Sequence, residues 1–327
     1  MQRKSTSKSQ SKPRRIINER YWLKDDAKKG GMANVYKARD LESDEEVAFK
    51  FFENRNLDQE ILAESYKREK QSLNKLEHDH IVKLIDDGKD EETGHEFLVL
   101  EWMEKNLSEY LQENSYKDKG WDDFWHDIAL PILEALDFAH RRQIVHRDIK
   151  PSNILISSHS KIKLADFGIS KFKKYLEPSR TVLASGRCEP YTPKPNEHTG
   201  GIYDYKRDVY SFGVLVLYCL TDVELADYDD ISKSLNQLQV PEEIKEIIES
   251  CVSFNPEDRP DTAEILLADL KVAQKQKETP DTRKKETCYV DFANKDWSQK
   301  AQHILQVNSL QEVRQIILDD CNLYWNR

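Results

Sequence analysis

Long apolar runs are missing from this 327-residue chain. The longest, VLVLYCL from Val214, falls far short of the roughly 20 residues that a membrane-spanning helix needs. No apolar segment follows the basic start, so that start does not read as a secretory leader. Cysteine is also thin. Cys188, Cys219, Cys251, Cys288 and Cys321 are odd in number and widely spaced. That pattern excludes a disulfide scaffold and offers no zinc-ligand spacing, so the expectation is a reducing compartment and a cytoplasmic protein. Positive charge is in deficit, with 50 Lys and Arg against 60 Asp and Glu and a net charge of -10. A duplex nucleic acid is therefore a poor candidate for the main partner. No internal repeat is present.

What is there suits a soluble globular protein: 38% hydrophobic and 34% charged residues, over a length able to bury two lobes of core. The opening MQRKSTSKSQSKPRR is basic and almost without apolar residues, so residues 1–18 read as a disordered tail. Plain solvation is preferred for it over contact with nucleic acid or a membrane surface. Residues 19–103 then alternate strand-like runs (NVYKARD, EVAFKFF, EFLVLEW) with turns, interrupted by a helix expected from about Asp58 to Leu76. Residues 104–272 read as helical. One segment there, WDDFWHDIALPILEALDFAHRR, puts Trp125, Ile128, Ala129, Ile132, Leu133 and Leu136 on one face, with Pro131 expected to kink or loosen it. A polar linker is expected over 273–288. The stretch 289–327 reads as a helical extension or the start of a further domain, with Ser309 and Glu312 at capping-box spacing ahead of an apolar stripe. The class expected is α+β, a small β-rich lobe followed by a larger helical one.

The densest chemistry lies in HRDIKPSN, His146 to Asn153, and in ADFG, Ala165 to Gly168. Phosphoryl transfer needs a group to position the attacking hydroxyl and metal ions across the nucleotide phosphates. Asp148 can accept the hydroxyl proton, while Asn153 and Asp166 offer the hard oxygens that magnesium takes. These motifs, in this order from about Tyr21 to Lys271, resemble the protein-kinase signature of bacterial, eukaryotic-like serine/threonine kinases. The resemblance implies a bilobal fold, ATP and Mg2+ as cofactors, and a protein substrate, with self-association for autophosphorylation. It makes Lys50, in VAFK, the lysine that grips the nucleotide phosphates. Glu69 becomes its partner, preferred over Glu64. It places adenine between Val35, Ala48 and Leu155, with Leu100 behind it and the main chain of Glu101 and Met103 along its edge. Lys150 implies serine or threonine acceptors. Arg147 would meet a phosphate on Ser179, Thr181 or Ser185, and Asp208 would anchor the catalytic loop.

Two departures stand out. In KKGGMANVYKARD, the phosphate loop of the resemblance, Lys28 and Ala33 stand at the first and third glycine positions, while Gly30 keeps the second and Gly31 adjoins it in the nucleotide site that the resemblance implies. An Ala-Pro-Glu motif is missing, so Arg259 lacks its usual partner, and Glu197 or Glu189 is expected to replace it. The rival readings are a pseudokinase that scaffolds without catalysis and a small-molecule phosphotransferase of the same fold.

Overall fold

A computed structural model of the chain describes residues 15–29, 33–53, 57–167, 190–193 and 202–278. The β-rich lobe is one antiparallel sheet of six strands: β1 (Arg15–Ile17), β2 (Tyr21–Lys29), β3 (Asn34–Asp40), β4 (Glu46–Phe51), β5 (Leu84–Lys89) and β6 (Glu96–Glu101). Their spatial order is β1-β2-β3-β4-β6-β5. Helix α1 (Gln59–Leu73) interrupts them. Period-two alternation gives each face of the sheet its own job. Val47, Phe49, Phe51, Phe97 and Val99 pack one apolar cluster with Tyr21, while Ala48, Leu98 and Leu100 join the main core on the other face. Lys50 is in register with Val35 on β3 and with Leu98 on β6. A buried lysine thus stands on the face that looks toward α1.

The second lobe begins with β7 (Lys105–Asn106) and α2 (Leu107–Glu113), capped reciprocally by Asn106 and Glu109. Next come α3 (Trp121–Phe124), a π-helical turn (Trp125–Ala129) and α4 (Leu130–Arg141). The expected loosening around Pro131 takes that form. A proline has no N–H for the carbonyl four residues back, and the turn widens just before it. The small sheet β7-β8-β9, with β8 (Ile154–Ile156) and β9 (Ile162–Leu164), joins the HRDIKPSN segment to the start of ADFG. Then follow α5 (Ile202–Leu220), α6 (Asp229–Gln237), α7 (Glu242–Cys251) and α8 (Ala263–Glu278). Helix α5 is apolar nearly all round, with Val209, Tyr210, Phe212 and Val214 to Leu217 all buried, so it is the lobe's central post.

Two boundaries shift from the sequence expectation. The tail does not extend to residue 18, because Arg15–Ile17 pairs with Tyr21–Leu23 as an edge strand with Ile17 buried. Residues 273–278 continue α8 instead of starting a linker, and Gln274 is buried with its carbonyl on the Trp121 ring N–H at 2.8 Å. Residues 279–327 lie outside the described residues.

Candidate active site

Helix α1 buries Leu62, Ser65, Glu69 and Leu73, which share one face, so Glu69 is carried inward by its apolar neighbours. Its Oε1 lies 2.6 Å from Lys50 Nζ, and the same ammonium is 2.6 Å from Asp166 Oδ1. Glu64 is half-exposed and paired instead with Arg68, one turn along, at 2.7 Å. The second oxygen of Glu69 is buried with no hydrogen-bond partner. Burial therefore pushes this carboxyl up to about 7, only partly offset by Lys50. At Lys50 burial works against the charge, but Asp166 and then Glu69 outweigh it and raise the ammonium above its ordinary range. Asp166 goes the other way: Lys50 overrides its desolvation and holds it below the usual carboxylate range. Along the flank of that face α1 is stapled to β5, where Asp87 Oδ2 accepts from Tyr66 Oη at 2.8 Å and from Lys70 Nζ at 2.5 Å.

The segment from His146 to Asn153 hangs from Asp208 on α5. Its carboxylate is fully buried and accepts from the backbone N–H of His146 (2.8 Å) and of Arg147 (2.6 Å). His140 supplies a further bond: its Nδ1 accepts from the Ala263 N–H at 3.2 Å, so its Nε2 donates to Asp208 at 3.0 Å. Burial alone would favour a neutral Asp208, yet these donors keep it below the ordinary carboxylate range. His146 is oriented by the same logic. Its Nδ1 accepts from the Asp148 N–H (3.2 Å), and its Nε2 donates to the Ala165 carbonyl (2.8 Å), tying the HRDIKPSN segment to the start of ADFG. Arg147 and Asp166 both sit in the left-handed region, at φ 64° and 67°. Such strain persists only where surroundings over-determine the backbone.

Asn153 donates from Nδ2 to the Asp148 carbonyl (2.7 Å) and to Asp148 Oδ2 (2.9 Å). Its own oxygen is thereby turned away from Asp148. Lys150 Nζ lies 3.5 Å from Asp148 Oδ2. Asp166 gives Lys50 one oxygen and keeps a side chain that is 37% exposed. Asn153 and Asp166 would offer magnesium two hard oxygens, the donor type that it takes. Among the described residues no cluster of three or more His, Cys, Asp and Glu forms a closed cage.

Ala33, Ala48, Leu100 and Met103 belong to one apolar cluster, with Val35 and Leu155 packed against it. The Glu101 side chain is occupied by Lys163 (2.6 Å) and the Lys83 N–H (2.7 Å). Lys28 Nζ reaches 3.1 Å from Glu109 Oε1 on α2, a link between the two lobes. Gly30, Gly31, Gly168, Ser179, Thr181, Ser185, Glu189 and Glu197 lie outside the described residues. Arg259 is buried, donates to the Ser253 carbonyl at 2.8 Å and lies 4.7 Å from the Tyr210 ring centroid. Ahead of it, the segment Pro190 to Pro193 is moored through its carbonyls. Ser211 holds that of Tyr191 and Tyr228 that of Thr192, both at 2.6 Å. His140 and Asp204 were missed in the sequence; the pairing of Arg147 with Asp204 at 2.8 Å emerges only in the fold.

The profile described as "Protein kinase domain" matches residues 28–270. The chain belongs to the protein kinase family. The kinase domain is 33% identical over 260 residues to serine/threonine-protein kinase PrkC of Bacillus subtilis, covering 75% of this chain and 39% of that protein. It is 30% identical over 285 residues to serine/threonine-protein kinase PknL of Mycobacterium tuberculosis, covering 82% and 69%. For probable serine/threonine-protein kinase PknB of Lactococcus lactis the identity is 30% over 246 residues, covering 74% and 37%. The kinase domain thus spans about two fifths of the length of several curated relatives. No helix among its described residues is long and apolar enough to cross a membrane.

Proposed function

We propose that this chain is an ATP-dependent serine/threonine protein kinase. The carrying observation is the joint geometry of two clusters: Lys50 shared by Glu69 and Asp166 at 2.6 Å each, and Asp148 braced by Asn153 at 2.9 Å. Lys50, held by carboxylates on both sides, presents a fixed cation to the nucleotide phosphates. Asp148 orients the acceptor hydroxyl and takes its proton as oxygen attacks the γ-phosphorus and the bond to the ADP oxygen breaks. Lys150 places positive charge beside that carboxylate, and its presence favours serine and threonine as acceptors. The oxygens of Asn153 and Asp166 would hold magnesium, which would supply charge neutralisation at the phosphates. The apolar cluster around Ala48, Leu100 and Leu155 suits the adenine ring.

The substrates in this reading are proteins, a second copy of the chain among them. The compartment is the cytoplasm, which suits free buried thiols at Cys219 and Cys251. The test is transfer of label from ATP, with magnesium, to a basic test protein and to the chain itself, beside Asp148→Ala and Lys50→Met. Label on Ser and Thr that vanishes in both variants, with little change in melting temperature for Asp148→Ala, is the expected result. Equal and negligible labelling by the wild type and by Asp148→Ala would hand the function to a non-catalytic scaffold.

A further inference from the structure

Arg147 is gripped twice by one helix. Its backbone N–H donates to Asp208 Oδ1 at 2.6 Å, and its guanidinium Nη2 donates to Asp204 Oδ2 at 2.8 Å. Asp204 and Asp208 are four residues apart on α5 and therefore share a face, one turn from each other. The pair is largely withdrawn from solvent, with side-chain exposures of 23% for Arg147 and 15% for Asp204, so it is worth more than a surface ion pair. Arg147 Nε is buried without an acceptor, so Asp204 supplies the carboxylate that compensates the charge. The residue so held has a left-handed backbone, φ 64°, and is covalently followed by Asp148. Any release of its side chain loosens the residue that sets the position of the catalytic carboxylate.

We infer that Asp204 is a positioning residue for phosphoryl transfer. It is a built-in counter-ion that holds Arg147, and through it Asp148, without needing a phosphate on the segment that contains Thr181 and Ser185. The inference rests on the kinase reading above. An anion at Asp204 also lies in the first turn of α5, where helix geometry favours negative charge. A loop phosphate would then compete with Asp204 for the guanidinium, and its arrival would not be the event that assembles the site.

The experiment compares wild type, Asp204→Asn and Asp204→Glu, each before and after treatment with a phosphatase, by initial rate of transfer to a basic test protein. Phosphatase-treated wild type should keep most of its rate. Asp204→Asn should lose about ten-fold in kcat, as for one charge-assisted hydrogen bond, with KM for ATP within about two-fold. Its residual rate should depend on phosphorylation, and Asp204→Glu should recover much of the loss. A merely structural role would lower melting temperature without creating phosphatase sensitivity. Abolition of wild-type activity by phosphatase would overturn the inference, whether or not the variants fold. So would an Asp204→Asn protein as active after phosphatase as treated wild type. A wild type inert in every state would instead sink the kinase reading itself.

Discussion

Replacing Glu69 with glutamine should make the nucleotide-free protein more heat-stable at pH 8 while removing most of its activity. The Glu69 carboxylate is fully buried, shares the Lys50 ammonium with Asp166, and has one oxygen without a donor. Burial lifts it from its ordinary 4.5 to about 7, against the pull of Lys50. Between those two values the folded protein holds a proton that the unfolded chain has released. Stability therefore falls as pH rises through the window, and the whole cost is present above pH 7. At about 1.4 kcal/mol per pH unit the cost is at most about 3–4 kcal/mol. Glutamine resembles the neutral acid and avoids it, and Lys50 keeps Asp166. The expected gain is about 1–3 kcal/mol, or several degrees in a domain of this size. Thermal unfolding of both proteins from pH 5 to pH 8 measures it: the melting temperatures should converge at the acid end and separate toward pH 8. A glutamine variant less stable at pH 8, or a gap independent of pH, would refute the reasoning. The activity should drop because Lys50, left with Asp166 alone, no longer has the second anchor that aims it at the phosphates.

Three other perturbations follow from contacts described above or from the same packing. Gly213→Ala would place a Cβ 2.7 Å from Val252 Cγ1 and 2.8 Å from Cys251 Cβ, so α5 and α7 must part; chemical denaturation should show a loss of about 1–3 kcal/mol. Asp87→Asn removes the charge that receives Tyr66 and Lys70, so α1 should swing more freely. A several-fold lower kcat and faster proteolysis within α1 are expected, and an unchanged kcat would show that Glu69 needs no such staple. For Lys28 and Glu109, with side chains 69% and 43% exposed, a double-mutant cycle on ATP affinity should give a coupling below about 1 kcal/mol. That coupling should vanish in high salt.

Much of the site was legible because its chemistry is written in contiguous stretches. Asp148 and Asn153 lie within one loop, Asp166 in another, and Lys50 on a strand whose alternation fixes its face. Glu69 is preferred over Glu64 for its spacing to the HDHIVKL turn, and in the fold it shares a helix face with Leu62, Ser65 and Leu73. What stayed hidden depends on packing between distant segments: Lys28 with Glu109, Arg147 with Asp204, His140 with Ala263. No local pattern marks those partners, since each is chosen by where two elements happen to meet. Composition misled at both ends of the domain. Arg15–Ile17 is too short to show a period and follows a basic run, yet Ile17 finds the sheet. Residues 273–278 are rich in Lys and Gln, which read as a linker but are also good helix formers.

The suspension of the catalytic segment from Asp208 has a consequence for its dynamics. Loops ordinarily open and close at little cost, far more easily than the core beneath them. The amides of His146 and Arg147, however, are closed by a carboxylate rooted in the most buried helix of the lobe. Their hydrogens can exchange with water only when that helix lets go. In a hydrogen-exchange experiment these two loop amides should be protected like core positions of α5. Catalytic geometry in this protein should then fail at the temperature where the large lobe melts, and not before.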